Sequence, residues 1–397
     1  MRRILVGLNR CVIALLLNFA AVLAAALPQN HAAAAVVNVR DYGAVGDWNG
    51  ATGTDDTAAI QAAIDAAEAG PGALFIPAGK YAIAHTLRIA KTITVSGAAS
   101  GGLNAGSPNW DSFAAVAVLV NRSTNQDAIL VETANPDEWI GGVKLQDFAI
   151  EGNRDVPGAT AGNGIVFNGP DDRHVRNAMV ENVLVYHARD CGFKLANNTY
   201  GFTGTHMMGY RNGGPGICFA DDGNHGGVSS VSIFAGWFDL NGTVAGNANG
   251  NSALRISAPH AGDVRLFGGF YADSDNGGSG VEVTAAAIDA HLYCDGCHME
   301  SNSGNSATLS GGYGHVFSGC YAQGAGKAAN GFYINNLPGN WVTTSATIRD
   351  CEISRNTGSD FFITSNARNV QLYTQAQLLS SYKIADRGSL TQYLGPH

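Results

Sequence analysis

The sequence predicts an all-β fold, a right-handed single-stranded parallel β-helix with a short N-terminal capping helix. Three observations carry this. Short apolar segments, most opened by a small residue, begin at Gly164 (GIVF), Gly192 (GFKL), Gly216 (GICF), Ser252 (SALR), Gly280 (GVEV), Ser306 (SATL), Gly331 (GFYI) and Asp360 (DFFI). Their steps of 28, 24, 36, 28, 26, 25 and 29 residues average 28. At such a period each unit buries itself only by stacking on its neighbours, as in a solenoid. Finally, the chain has 52 glycines in 397 residues and only 14% charged residues, and its strand-like stretches are separated by Gly/Asn turns with no helix to cross over.

Residues 1–35 read as a secretory signal. Arg2, Arg3 and Arg10 form a positive start, Cys11–Leu27 is apolar apart from Asn18, and small residues offer cleavage after Ala26 or Ala35. Its removal takes the formal charge from −9 to −12, since three arginines leave with it. An acidic surface argues against nucleic-acid binding, which needs Lys and Arg to neutralise phosphates. No later apolar stretch is long enough to span a bilayer. The expectation is a secreted or periplasmic protein with one domain over 36–397, of which 36–90 forms the cap and first coil.

The cap opens with VNVRDYGAVGD (Val37–Asp47), a strand entering a Gly-rich turn. A helix follows in TDDTAAIQAAIDAA, with Asp55 and Asp56 at its start and Ile60, Ile64 and Ala67 on one face. After Gly70-Pro71-Gly72 come strand-like residues on both sides of a Pro-Ala-Gly turn. In these residues the chain resembles the pectate lyase superfamily, especially its rhamnogalacturonase/epimerase-like and phage tailspike-like branches. The resemblance runs from Val37 to about Ile89, with Trp48–Gly53 lengthening the connection before Thr54. It implies a cap sealing one end of a right-handed parallel β-helix, with Asp55 and Asp56 as helix caps. It implies fold, not chemistry.

Each coil holds a second strand upstream of the repeating segment. Aligned by apolar positions, these are IFAGWFD (Ile233–Asp239), FGGFYAD (Phe267–Asp273), CDGCHME (Cys294–Glu300), FSGCYAQ (Phe317–Gln323) and IRDCEIS (Ile348–Ser354). Because successive strand residues point to opposite sides, fourth and sixth positions face inward. That stacks Cys297, Cys320 and Cys351 in the interior, where reduced, buried thiols are expected. The fifth positions, facing outward, are Trp237, Tyr271, His298, Tyr321 and Glu352. The seventh are Asp239, Asp273, Glu300, Gln323 and Ser354, extended upstream by Tyr210 and Tyr186.

Three carboxylates on consecutive coils beside exposed rings point to sugar chemistry. Sugar faces stack on aromatic rings, while carboxylates supply acid, base and hydroxyl acceptors. Coils spaced by about 4.8 Å put next-nearest carboxylates about 9.6 Å apart, so Asp239 and Glu300 suit the roughly 6.5–9.5 Å of an inverting glycosidase, while either adjacent pair approaches the roughly 5–5.5 Å of a retaining one. Asp239, Asp273 and Glu300 are therefore the candidate catalytic residues. Trp237, Tyr271, His298, Tyr321, Tyr210 and Arg211 are the candidate substrate contacts. The same column equally reads as an ordinary polar sheet face or as oxygen ligands for Ca²⁺. His187, Arg189, His206 and Arg211 form a further cluster on two successive coils. The run Asp221-Asp222-Gly-Asn224-His225-Gly226 departs from the polygalacturonase pattern and reads as a turn.

The leading expectation is an exported enzyme that cleaves a polysaccharide as a glycoside hydrolase without a cofactor. The alternative is a lyase, in which Tyr271 or His298, or Arg211 if the groove extends upstream, removes the proton alpha to a uronate carboxylate neutralised by Ca²⁺ or an arginine. The mature negative charge weakens that option, and the absence of a Tyr-Gly-x-Asp-Pro-His-Asp pattern weakens epimerisation of the mannuronan type. A third reading is a non-catalytic glycan-binding solenoid. Neither metal nor nucleic acid nor membrane is expected as a partner of the hydrolase.

Overall fold

The computed structural model describes residues 36–100, 116–135, 138–221, 226–335, 344–373, 382–388 and 391–394. The expected leader at 1–35, and Asp222 to His225 of the turn-like run, lie outside them. The described chain winds as a right-handed parallel β-helix, and all its strand pairings are parallel. Three long sheets, here A, B and C, hold 13, 10 and 11 described strands, and a four-stranded sheet, D, lies between C and A. One coil illustrates the route: Met179–Glu181 in A, Leu184–Tyr186 in B, Phe193–Asn197 in C and Thr199–Tyr200 in D. The next coil begins at Thr203–Thr205, again in A.

The repeating segments predicted from sequence all pair in sheet C. Ile165, Phe193, Ile217, Leu254, Val281, Ala307, Phe332 and Phe361 form one continuous column. All eight are buried, so each coil contributes a side chain to the same internal stack. One residue of the prediction shifts: in SALR the column passes through Leu254, not Ala253. The long loop before it, Asn241–Asn251, folds back across the two preceding coils: the Thr243 amide donates to Asn212 O at 3.1 Å and Asn247 Nδ2 to Arg189 O at 3.1 Å.

Sharp bends at fixed places set which side chains reach the B-sheet surface. The A-to-B bend carries one residue in the left-handed region: Asn182, His206, Ala235, Gly268, Gly296, Gly319 and Asp350 in successive coils. The strand exit from B repeats this at His187, Arg211, Leu240, Asp273 and Ser301. For residues with a Cβ this conformation costs about 1–2 kcal/mol each. A buried ladder of polar side chains just beyond offsets that cost by satisfying the backbone of the bend. Asn212 Nδ2 donates to Asn241 Oδ1 at 2.9 Å, Asn241 Nδ2 to Gly209 O at 2.8 Å, and Asn302 Nδ2 to Tyr271 O at 3.2 Å.

The single described α-helix, Thr57–Ala69, buries Ile60, Ile64 and Ala67 as its periodicity requires. The two aspartates before it divide their work. Asp55 Oδ1 accepts from the Thr57 amide at 3.0 Å and caps the helix. Asp56 makes no such cap; it is buried and accepts from the Val45 and Gly46 amides at 2.7 and 3.1 Å, tying the Gly-rich turn to the helix start.

The cysteines correct one expectation. Cys297, Cys320 and Cys351 are all buried in the interior column, but Cys297 is bonded to Cys294 and is not a free thiol. The Asp295-Gly296 bend brings the end of the A strand and the start of the B strand inward together, so Cys294 and Cys297 meet across it. A second disulfide joins Cys191 and Cys218 on adjacent coils. Cys320 and Cys351 remain free, with Cys320 Sγ 3.3 Å from Cys294 O.

Candidate active site

The B sheet presents two outward columns. The first runs Met208, Trp237, Phe270, His298, Tyr321 and Glu352. Its rings follow one another in tilted contact, with centroids 5.0, 4.9 and 4.5 Å apart and planes 43°, 53° and 58° apart from Trp237 to Phe270, His298 and Tyr321. The second runs Glu151, Tyr186, Tyr210, Asp239 and Ala272, and resumes through Glu300, Gln323 and Ser354. The predicted upstream extension through Tyr210 and Tyr186 is therefore the observed register.

One coil departs from the sequence alignment by a single residue. Phe270, not Tyr271, stands beside Trp237, and Ala272, not Asp273, stands beside Asp239. Phe267 pairs with Phe234, so the two strands keep the same length across the bend, with Gly268 in the left-handed place of Ala235. Tyr271 consequently points inward, fully buried and stacked on Phe238 with centroids 5.7 Å apart. It is a core residue and contacts no substrate. Burial pushes its phenol well above the ordinary value. Neither substrate stacking nor proton abstraction can be assigned to it.

Asp273 keeps a place at the site despite the slip. It occupies the left-handed strand exit, and its amide donates to Glu300 O at 3.0 Å. Lys327 Nζ donates to Asp273 Oδ1 at 3.2 Å. Burial, then the negative charge of Asp273, push Asp239 up to about 6, against opposing contributions from the Trp237 side chain and the Leu240 amide, with Glu300 adding the smallest push upward. Asp239 Oδ1 is buried with no hydrogen-bond partner. Glu300 Oε2 lies 2.9 Å from His298 Nε2. The three predicted carboxylates are thus one electrostatic cluster. They do not converge on a point: among the described residues, the convergence of metal-ligand atoms is at Cys294, Cys297 and Cys320, two of them in a disulfide.

Upstream, a cleft of about 500 Å³ is lined by Arg154, Asp155, Arg211, Leu240, Thr243, Val244 and Asp275. Arg154 reaches the Arg211 carbonyl and pairs with Asp155 at 2.9 Å. Asp155 Oδ2 also meets His187 Nδ1 at 2.9 Å. Burial and the nearby Arg154 charge hold His187 down to about 4, so its ring is neutral near pH 7. Its Nε2 is buried without a partner, which places the imidazole beneath the groove rather than in it. Burial alone would raise Asp155, but the hydrogen bond and charge of Arg154, with His187, hold it low. The Arg211 guanidinium lies 5.4 Å from the Tyr210 ring.

The predicted basic cluster therefore divides. His187 and Arg211 meet at this cleft, Arg189 donates to Ala159 O at 3.3 Å, and His206 sits on the A-to-B bend.

A family model described as rhamnogalacturonase A/epimerase, pectate lyase-like, matches residues 36–142. Over these residues the resemblance to pectate lyase-like proteins expected from the cap is supported. Two Azotobacter vinelandii relatives illustrate the sequence likeness. Mannuronan C5-epimerase AlgE3 is 29% identical over 62% of this chain and 14% of its own length. Alginate lyase 7 is 30% identical over 45% of this chain and 20% of its own. The chain thus matches only a minor part of these relatives. Among solved structures, the A-module of mannuronan C-5 epimerase AlgE4 from the same organism superimposes with a TM-score of 0.56 at 19% identity, covering 91% of this chain and 98% of that one. At that identity the likeness is one of fold.

Likeness to pectate lyase-like proteins does not by itself point to the groove residues that sequence reading missed. Glu151 was legible: DFAIEGN repeats the bend, alternation and exit of the later coils, and Glu151 occupies the carboxylate column. It accepts from the Tyr186 hydroxyl at 3.0 Å, and burial raises its carboxyl. Arg154 and Asp155 lie just past that exit, in a loop without periodicity. Lys327 comes from a loop 54 residues beyond Asp273, and no local pattern announces the pair.

Proposed function

We propose that this chain is an exported glycoside hydrolase that cleaves a polysaccharide lying along the B-sheet groove. The carrying observation is Asp239: a largely buried carboxyl held near 6 by burial and by Asp273 and Glu300. A carboxylic acid raised into that range keeps its proton at mildly acidic pH and can give it to a leaving glycosidic oxygen. Glu300 stands two strands further along the same column, about 9.6 Å away by sheet spacing. That separation suits a base that activates water on the opposite sugar face, as in inverting hydrolysis. Asp273 acts through Asp239, keeping it protonated. The successive rings of Trp237, Phe270, His298 and Tyr321 provide the sugar platform. The polysaccharide-acting names of the relatives favour a polysaccharide as substrate.

A second reading is elimination or epimerisation of a uronan. Tyr210 stands directly beside Asp239, with Arg211 over its ring and Arg154 nearby. A tyrosine base and arginines facing a uronate carboxylate would suit proton abstraction, and the relatives are named for acting on mannuronan and alginate. One assay separates the two. Incubation with neutral and uronic polysaccharides, followed by reducing-end and ultraviolet measurements, should give new ends without unsaturated product. Unsaturated product, or C5 inversion without cleavage, would replace the hydrolase reading with the second.

A further inference from the structure

In the four coils that carry it, the D sheet is separated from the B-sheet groove by A on one side and C on the other. Its inward residues, Ile140, Val175, Thr199 and Val228, are all buried. Its outward residues are unusual for an idle surface. Trp139 is 61% exposed and pairs in register with His174, while Arg176 pairs with Tyr200 on the next coil. The ring centroids of Trp139 and His174 are 5.3 Å apart, and those of His174 and Tyr200 5.5 Å. Three rings on three successive coils therefore form a strip along the solenoid axis.

Arg176 lies within this strip. Its guanidinium sits 3.6 Å from the Trp139 centroid and 5.9 Å from that of Tyr200. Nη2 donates to His174 Nδ1 at 3.2 Å, but Nε is buried without a partner and no described carboxylate pairs with the group. Gly141, its neighbour on the preceding strand, has no side chain to fill the space beside it. A cleft of about 520 Å³ opens here, with Asn177, Gly201 and Ser230 completing its wall. Burial and the Arg176 charge hold His174 below its ordinary value, so Arg176 provides the local positive charge near neutral pH.

We propose that this strip is a second, non-catalytic glycan-binding site for a carboxylate-bearing sugar segment. The rings offer faces for pyranose stacking, and the unpaired guanidinium offers a planar fork suited to a uronate carboxylate. Asn177 and Ser230 supply hydroxyl partners. An aliphatic partner would leave the guanidinium unmet, and a neutral glycan would use the rings alone. The site stands independently of the chemistry in the B-sheet groove, because it binds without turnover.

The test is calorimetric titration of a mannuronate hexasaccharide, with cellohexaose as the neutral control, into the full chain carrying Asp239→Asn. Trp139→Ala and Arg176→Gln, each added to that background, should weaken one binding event by about tenfold or more. Arg211→Gln, on the far side of the solenoid, should leave that event unchanged. Trp139 is exposed, so its truncation spares the core, and an unchanged thermal midpoint confirms folding. Titrations indistinguishable between the parent and both D-sheet variants, including an absence of heat in all three, overturn the site. Equal binding of cellohexaose overturns its preference for acidic sugars.

Discussion

Lys327 Nζ donates to Asp273 Oδ1 at 3.2 Å, clamping a late glycine-rich loop onto the carboxylate whose charge raises Asp239. This ion pair tempers the negative charge felt by Asp239 without removing it. Lys327→Met, by leaving the Asp273 charge unpaired, should therefore raise the Asp239 carboxyl further. If Asp239 is the general acid, activity falls as pH rises through its pKa, and the basic limb of the pH–rate profile should move upward in the variant. A downward or absent shift with intact folding would separate Asp273 from the acid.

The same carboxyl ties stability to pH. Asp239 moves from an ordinary 3.8 to about 6 on folding, so the folded state holds its proton more tightly. The associated stability is fully present below about pH 4 and is lost as pH rises through about 6, a change of at most about 3 kcal/mol. Asp239→Asn, which cannot ionise, should gain thermal stability over wild type at pH 7–8 and match it near pH 4. Melting curves across that range check the sign, and catalysis should drop about 10²–10⁴-fold below about pH 6, where the wild-type acid holds its proton, and by less above it.

Tyr271 and Trp237 should respond in opposite ways. Tyr271 is buried against Phe238 with no partner for its hydroxyl. Tyr271→Phe should retain activity and stability, whereas Tyr271→Ala should cost about 3–5 kcal/mol by opening a cavity. Trp237→Ala should leave the melting midpoint nearly unchanged and mainly raise KM, because Trp237 is part of the exposed platform. Denaturant unfolding together with steady-state kinetics distinguishes the two.

Residues 36–397 should carry two disulfides and two thiols. Peptide mapping under non-reducing conditions should link Cys191 to Cys218 and Cys294 to Cys297. Cys320 and Cys351, both buried, should react with iodoacetamide only after denaturation. Fast labelling of either in the native protein would contradict the interior column.

The repeat of apolar segments, the amphipathic helix and the column from Tyr186 through Tyr210 to Asp239 were all legible in the sequence. They depend on period and alternation, which local residue order carries. The sequence equally determined which four of the five aligned strands share a register. The fifth, around Gly268 and Gly269, was decided by tertiary structure. Consecutive glycines permit the bend at either position, and consecutive aromatics, Phe270 and Tyr271, satisfy either inward pattern. Stacking on Phe238 and Trp237 selected one, reversing the faces of both rings and moving Asp273 to the strand exit. The Lys327 clamp, the Asp155–His187 pair and the D-sheet strip likewise exist only because coiling brings distant loops and successive turns together. Their contacts obey the geometry of stacking, about 4.8 Å per coil, rather than any spacing along the chain.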